Sequence, residues 1–197
     1  VKSLHKIYQE TKVPVKAVNG IDLSFEEGEF AAIVGPSGSG KTTILNMIGG
    51  LDAPSEGEVL TNNVNLSRLK SKKLIDFRLR NIGFVFQAYN LIPVLTALEN
   101  VAFIMQLQGW SKKDRNDRAK ELLKAVGIDL DRVHNRPGNL SGGQQQRVAV
   151  ARALAPRPKF ILADEPTANL DSKSTSELLK KKKKMNEESK ITFIFST

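Results

Sequence analysis

Residues 35–42 read Gly35-Pro36-Ser37-Gly38-Ser39-Gly40-Lys41-Thr42, a Gly-x-x-x-x-Gly-Lys-Thr pattern. The apolar run Phe30–Val34 precedes it, and the apolar helical run Thr42–Ile48 follows it. Glycines let backbone N–H groups curl around phosphate oxygens with no Cβ in the way. Lys41 is the point charge that reaches the outer phosphates, and the Thr42 hydroxyl is a ligand for Mg²⁺. The helix N-terminus adds its partial positive charge. The competing reading is a flexible glycine-serine loop. By average composition a chance match in a chain this long is roughly one in a hundred, and the strand-loop-helix context makes it rarer.

Three further apolar runs resemble Phe30–Val34: Ile82–Phe86, Phe160–Ala163 and Ile191–Phe195. None alternates cleanly with polar residues, which predicts strands of a parallel sheet covered on both faces. Each run ends in polar or glycine-rich residues: Gly35, Gln87, Asp164-Glu165 and Ser196-Thr197. Ligands of open parallel sheets lie beyond the carboxyl ends of the strands, so these ends converge on one site. Helices are predicted between them. Asp114–Val126 places Ala119, Leu122, Leu123 and Val126 at helical spacing, with Gly127 as a stop. Thr96–Leu107 carries Glu99 in its first turn, and Ser141 precedes a helix over Gly142–Leu154. Ser172 is read as the cap of a helix through Met185.

The chain has 197 residues, enough for one domain with a substantial core. It has no cysteine, which excludes disulfides, thiolate zinc sites and a cysteine nucleophile. No apolar run reaches the roughly 18 residues of a membrane span, and the polar start Val1–Glu10 is not a secretory signal. The formal charge is +9, but five lysines sit together at 180–184, so over half the excess is one local run. Such a run suits nucleic acid, an anionic membrane or simply a solvated helix face.

Asp164 follows a strand signal and so is placed to complete a magnesium shell, with Glu165 next to it. Successive side chains on a strand point to opposite sides. Asp164 can therefore face the metal while Glu165 aims toward an attacking water. Turn or helix capping is the alternative for Asp-Glu-Pro, and beside a phosphate loop it is the weaker one. Leu140-Ser141-Gly142-Gly143-Gln144 opens a second helix with a hydroxyl and two glycines, another anion-binding N-terminus.

Taken with residues 35–42 and 160–165, Leu140–Gln144 resembles the signature of ATP-binding-cassette ATPases, and the motif order spans nearly the whole chain. The resemblance implies an α/β fold: a P-loop NTPase core with a mainly parallel sheet, an antiparallel N-terminal β portion and a helical subdomain. It implies one nucleotide-binding domain over 1–197, with the core at about 1–89 and 156–197 and the helical subdomain at about 90–155. It implies ATP and Mg²⁺, and a head-to-tail dimer of two copies sandwiching two ATP molecules. Nucleotide contacts would come from Gly35, Ser37, Gly38, Ser39, Gly40, Lys41, Thr42 and Thr43. Ser141, Gly142, Gly143 and Gln144 would supply the contacts from the other copy. Thr42, Gln87 and Asp164 would hold the metal, and Glu165, Gln87 and Lys41 would carry catalysis, Glu165 as general base. Ala168-Asn169-Leu170-Asp171 matches the loop that crosses the dimer seam. Tyr8 matches the aromatic that stacks on adenine; the alternative is an ordinary surface tyrosine.

The finer resemblance is to the lipoprotein-release and macrolide-export branch of transporter ATPases. It rests on Phe84-Val85-Phe86-Gln87, Asn90-Leu91-Ile92-Pro93, Leu95–Val101 and Pro166–Asp171. This implies a peripheral subunit at the cytoplasmic face of the membrane, with a permease docking near Gln87–Leu95. Tyr89, Leu91, Ile92 and Leu95 would form a partly exposed groove; the alternative is burial in the helical lobe. An ABC-type ATPase acting on nucleic acid shares the signature, but residues 51–139 are too short and lack the heptads of its coiled coil. No nucleic-acid partner is therefore expected. The family also has a histidine just after the last core strand, whereas this chain stops at Ser196-Thr197 and has only His5 and His134. It is read as C-terminally trimmed. These 197 residues alone are expected to bind ATP and hydrolyse it slowly; a steady-state turnover equal to that of a full-length relative would contradict this.

Overall fold

The computed structural model describes residues 1–9, 13–61, 64–166 and 191–197. The seam loop at 168–171, the helix expected from Ser172 and the lysine run at 180–184 lie outside the described residues.

The four apolar runs form one parallel sheet. Its strands are β3 (Phe30–Ile33), β7 (Ile82–Val85), β8 (Phe160–Ala163) and β9 (Thr192–Ser196), in the order β3-β9-β8-β7. The registers pair Ile82 with Phe160, Phe160 with Thr192, and Phe30 with Phe193. All four β8 residues are buried, and the pleat sorts them between two cores. Phe160 and Leu162 join one cluster with Ile44, Leu45, Met47 and Ile48 of helix α1 (Lys41–Ile48). Ile161 and Ala163 join the other, with the helices packed on the opposite face. That division is why β8 reads as an unbroken apolar run. β3 departs from the expectation of full burial. It stands at the end of the strand order, Ala32 is exposed, and Val34 just beyond it is 76% exposed. β7, at the other end of the order, stays mostly buried because the helices Gly142–Leu154 and Ser71–Asn81 pack against it, whereas β3 packs mainly on β9.

The antiparallel portion is β2 (Val15–Ile21), β1 (Lys2–Tyr8) and β4 (Glu56–Glu58), in the order β2-β1-β4. Leu4 and Val18 carry it into the α1 cluster. β5 (Leu60–Thr61) and β6 (Val64–Asn65) pair antiparallel beside it. Helix α2 (Ser71–Asn81) was not expected from the sequence. It buries none of its residues fully, and only Leu74 and Phe77 lean on the α1 core. Its many charges mask the apolar period.

Helices α3 (Ala97–Leu107), α4 (Lys112–Ala125) and α5 (Gly142–Leu154) build the second core with β7 and β8. α3 opens on a full capping box: Thr96 accepts from the Glu99 N–H and Glu99 accepts from the Thr96 N–H. α4 begins two residues before the expected start at Asp114, because Ser111 caps it by accepting from the Asp114 N–H. Gly127 follows its end at φ 83°, the left-handed stop read from the sequence. α5 comes so close to the sheet that a Cβ on Gly83 would lie 2.4 Å from the Ala153 carbonyl oxygen.

Asn100, 1% exposed, organises the loop before α3. Its amide nitrogen donates to the Ile92, Leu95 and Thr96 carbonyls, and its oxygen accepts from the Ile92 N–H. Asn100→Ala removes these four bonds; the Ile92 and Thr96 carbonyls keep the Leu95 and residue-100 N–H groups, but the Ile92 N–H and the Leu95 carbonyl lose their side-chain partner. It should cost about 2–4 kcal/mol in urea unfolding; a loss under about 0.5 kcal/mol, the range of a bland surface change, would contradict this.

Candidate functional site

The glycine loop runs from the end of β3 into α1. Gly40 sits at φ 90°, and a Cβ there would lie 2.3 Å from the Ala17 carbonyl oxygen, so only glycine fits the turn. Ser37, Gly38 and Ser39 are exposed along the loop. Lys41 folds back under it, only 7% exposed, and donates to the Gly35 and Pro36 carbonyl oxygens at 2.7 and 3.0 Å. Its Nζ lies 3.8 Å from Glu165 Oε1. A buried ammonium held by loop carbonyls is positioned to exchange them for phosphate oxygens.

The carboxylates come from the end of β8, and the pleat separates them. Asp164 continues the row of Phe160 and Leu162, toward α1, where the Thr42 Oγ1 is 2.9 Å from both of its oxygens. Glu165 turns the other way at φ 40°, a left-handed conformation uncommon outside glycine. Gln87, two residues past β7, donates its amide to Glu165 Oε2 at 3.1 Å. The structure thus brings Gly35, Lys41, Thr42, Gln87, Asp164 and Glu165 into one connected set.

Ser141 to Gln144 form a separate, surface-facing turn. Ser141 and Gly142 are exposed, and Gly143 and Gln144 are half-buried. A capping box closes the turn: the Ser141 hydroxyl accepts from the Gln144 N–H at 3.3 Å, and Gln144 Oε1 accepts from the Ser141 N–H at 2.8 Å. The helix end therefore faces solvent, where another molecule can reach it. Two further contacts tie α5 to the first set, and neither was read from the sequence. Buried Gln146 donates to the Pro166 carbonyl at 2.7 Å, just past Glu165. The Arg152 guanidinium donates to the Tyr89 and Asn90 carbonyls, and both of those residues are left-handed, at φ 61° and 48°. Burial lowers the pKa of Arg152. Sequence periodicity had shown only the apolar positions of α5.

Tyr8 stands on β1, beside the first turn of α1. Its hydroxyl donates to Asp52 Oδ2 at 2.8 Å, and Lys6 Nζ lies 4.9 Å from its ring centroid. Burial raises its pKa first; Asp52 raises it further, against a hydrogen bond with Thr43. Burial alone would raise the Asp52 carboxyl, but hydrogen bonds from Lys6 and Tyr8 outweigh it and hold it below the ordinary value.

An apolar cleft of about 400 Å³ opens between α2, β7 and α3. Its walls include Ile75, Leu79, Phe84, Phe86, Ile92 and Phe103. Tyr89, Leu91, Ile92 and Leu95 are all half-buried, as the groove reading requires, but of these only Ile92 lines the cleft. Leu91 packs against the helical core instead. The rest of the cleft comes from α2, β7, α3, α5 and the segments beside them, and α2 was invisible to the periodicity argument. Among the described residues no helix is long and apolar enough to cross a membrane.

A family model described as ABC transporter matches residues 18–168. An uncharacterised ABC transporter ATP-binding protein of Thermotoga maritima is 54% identical over 189 residues, 96% of this chain and 80% of that protein. LolD, the lipoprotein-releasing system ATP-binding protein of Colwellia psychrerythraea, is 41% identical over 194 residues, 98% of this chain and 75% of LolD. Among solved structures, the chain is similar to the ATP-binding cassette MJ0796 of Methanocaldococcus jannaschii, in a dimeric post-hydrolysis state bound to ADP and Pi. That match has a TM-score of 0.94 at 46% identity, over 100% of this chain and 86% of the other.

Proposed function

This chain belongs to the ABC transporter family as an ATP-hydrolysing, ATP-binding subunit, and from that premise we propose that two copies close head to tail around two ATP molecules to drive a membrane permease. The observation that carries this reading is the pair of anion sites on one chain. One is the loop over Lys41; the other is the exposed helix end at Ser141. A single triphosphate has use for one such cradle, so the second is available to a nucleotide held by the other copy. The post-hydrolysis dimer of the MJ0796 cassette supports the arrangement by similarity. In the same reading a core at about 1–89 and 156–197 holds the nucleotide, and a helical subdomain at about 90–155 carries Ser141.

In this reading Lys41 leaves the Gly35 and Pro36 carbonyls for the β- and γ-phosphates, and N–H groups of the loop and of Thr42 and Thr43 face the phosphate chain. Tyr8 stacks on the adenine from β1. Thr42 and Asp164 meet as a hydroxyl and a carboxylate, two hard oxygen donors, a set that fits Mg²⁺; Gln87 would join them. The ion, when bound, would neutralise charge on the phosphate oxygens. Glu165 takes a proton from the attacking water, and Gln87 orients its carboxylate through the 3.1 Å bond. Ser141, Gly142, Gly143 and Gln144 of the other copy stabilise the γ-phosphate, so its loss weakens the interface and reopens it.

The permease docks in the apolar cleft between α2 and α3, next to the residues that follow Gln87. Similarity to LolD and the sequence cues at 84–101 favour a transporter of the lipoprotein-release and macrolide-export kind, with this subunit peripheral at the cytoplasmic face. The Arg152 contact to Tyr89 and Asn90 then links the docking side to the helix that begins at Ser141.

Glu165→Gln should retain ATP and accumulate as a dimer, read by sedimentation at saturating ATP. A variant that binds nucleotide but stays monomeric would overturn the sandwich. Ile75 is 56% exposed on the cleft wall, so Ile75→Asp should leave unfolding within about 0.5 kcal/mol. It should also reduce co-purification with the permease about tenfold, the scale of a lost anchor worth somewhat over 1 kcal/mol. Undiminished co-purification would move the docking site elsewhere.

A further inference from the structure

We propose that Ser196 is a positioning residue for ATP hydrolysis, its hydroxyl holding both carboxylate residues at the end of β8. The proposal rests on the reading of Asp164 and Glu165 given above.

Ser196 is the last residue of β9 and is 0% exposed. The β8–β9 register pairs Phe160 with Thr192 and Ala163 with Phe195, so continuing the ladder sets Asp164 beside Ser196. Ile194, two residues earlier, packs in the α1 cluster, so the pleat turns Ser196 to that same face. There its hydroxyl donates to Asp164 Oδ1 at 2.8 Å and accepts from the Glu165 N–H, also at 2.8 Å. A serine hydroxyl has one proton to give, and here it goes to the carboxylate while a lone pair takes the amide.

The two contacts act on different things. The first fixes the rotation of the Asp164 carboxylate, which also meets Thr42. The second pins the backbone of Glu165, whose φ of 40° needs support from its surroundings to persist. A backbone held there sends the Glu165 side chain toward Gln87 and Lys41. Alanine at 196 keeps the strand and the burial but removes both contacts.

The test uses the full-length protein, wild type, Ser196→Ala and Glu165→Gln. Ser196→Ala should lower kcat about tenfold or more while leaving ATP affinity, measured by calorimetry, within about twofold, the pattern of a lost outer-shell partner rather than a lost binding group. Independently of activity, the Glu165 amide should exchange its hydrogen at least about tenfold faster, because its acceptor is gone. Unchanged kcat in Ser196→Ala, with Glu165→Gln inactive, would overturn the role of Ser196 alone. A kcat loss matched by an equal loss of affinity would also overturn it, as a general structural effect. Full turnover by Glu165→Gln would instead overturn the reading of the site on which the proposal stands.

Discussion

Two-residue alternation along a strand, applied at the end of β8, is the constraint on which the site depends. β8 lies between two parallel neighbours and is buried on both faces. Its side chains must divide between the α1 core and the helical core, and the division continues into the polar residues after Ala163. Asp164 is sent to α1 and meets Thr42; Glu165 is sent away from it and meets Gln87. Adjacent carboxylates thus acquire different environments, Asp164 by continuing the row of β8 and Glu165 through its left-handed backbone at φ 40°.

The same geometry links the two halves of the molecule. α5 packs on the sheet closely enough that Gly83 has no room for a side chain. From that position Gln146 reaches the carbonyl of Pro166, and Arg152 reaches the left-handed turn after Gln87. The helix end at Ser141 is therefore mechanically continuous with the segments that carry Gln87 and Glu165. A guanidinium bonded to two carbonyls, rather than a loose surface contact, joins the turn at 89–90 to α5.

Much of this was legible before the structure. The four strands of the parallel sheet, the glycine loop, the capped helices α3 and α5, and the Asp164–Glu165 split were read from local rules of period, capping and strand alternation, whereas the antiparallel N-terminal portion came only from the family resemblance. What escaped did so for identifiable reasons. α2 packs only Leu74 and Phe77 weakly while carrying charges throughout, so no apolar stripe marked it. β3 looks like its buried siblings in composition, and only the tertiary packing leaves it at an edge without the helix cover that buries β7 at the other edge. The cleft wall is assembled from α2, β7, α3 and α5, and of the apolar residues read at 89–95 only Ile92 reaches it.

The sequence by itself determined the phosphate loop, its flanking elements and which residue types stand at the strand ends, because each of these is set by neighbours a few positions away. The tertiary structure alone decided that Ser196 lies beside Asp164, that Arg152 grips the turn after Gln87, and that Tyr8 shares Asp52 with Lys6. Those contacts join residues dozens of positions apart. They depend on strand order and register, which are properties of the whole packed core and of no single stretch of chain.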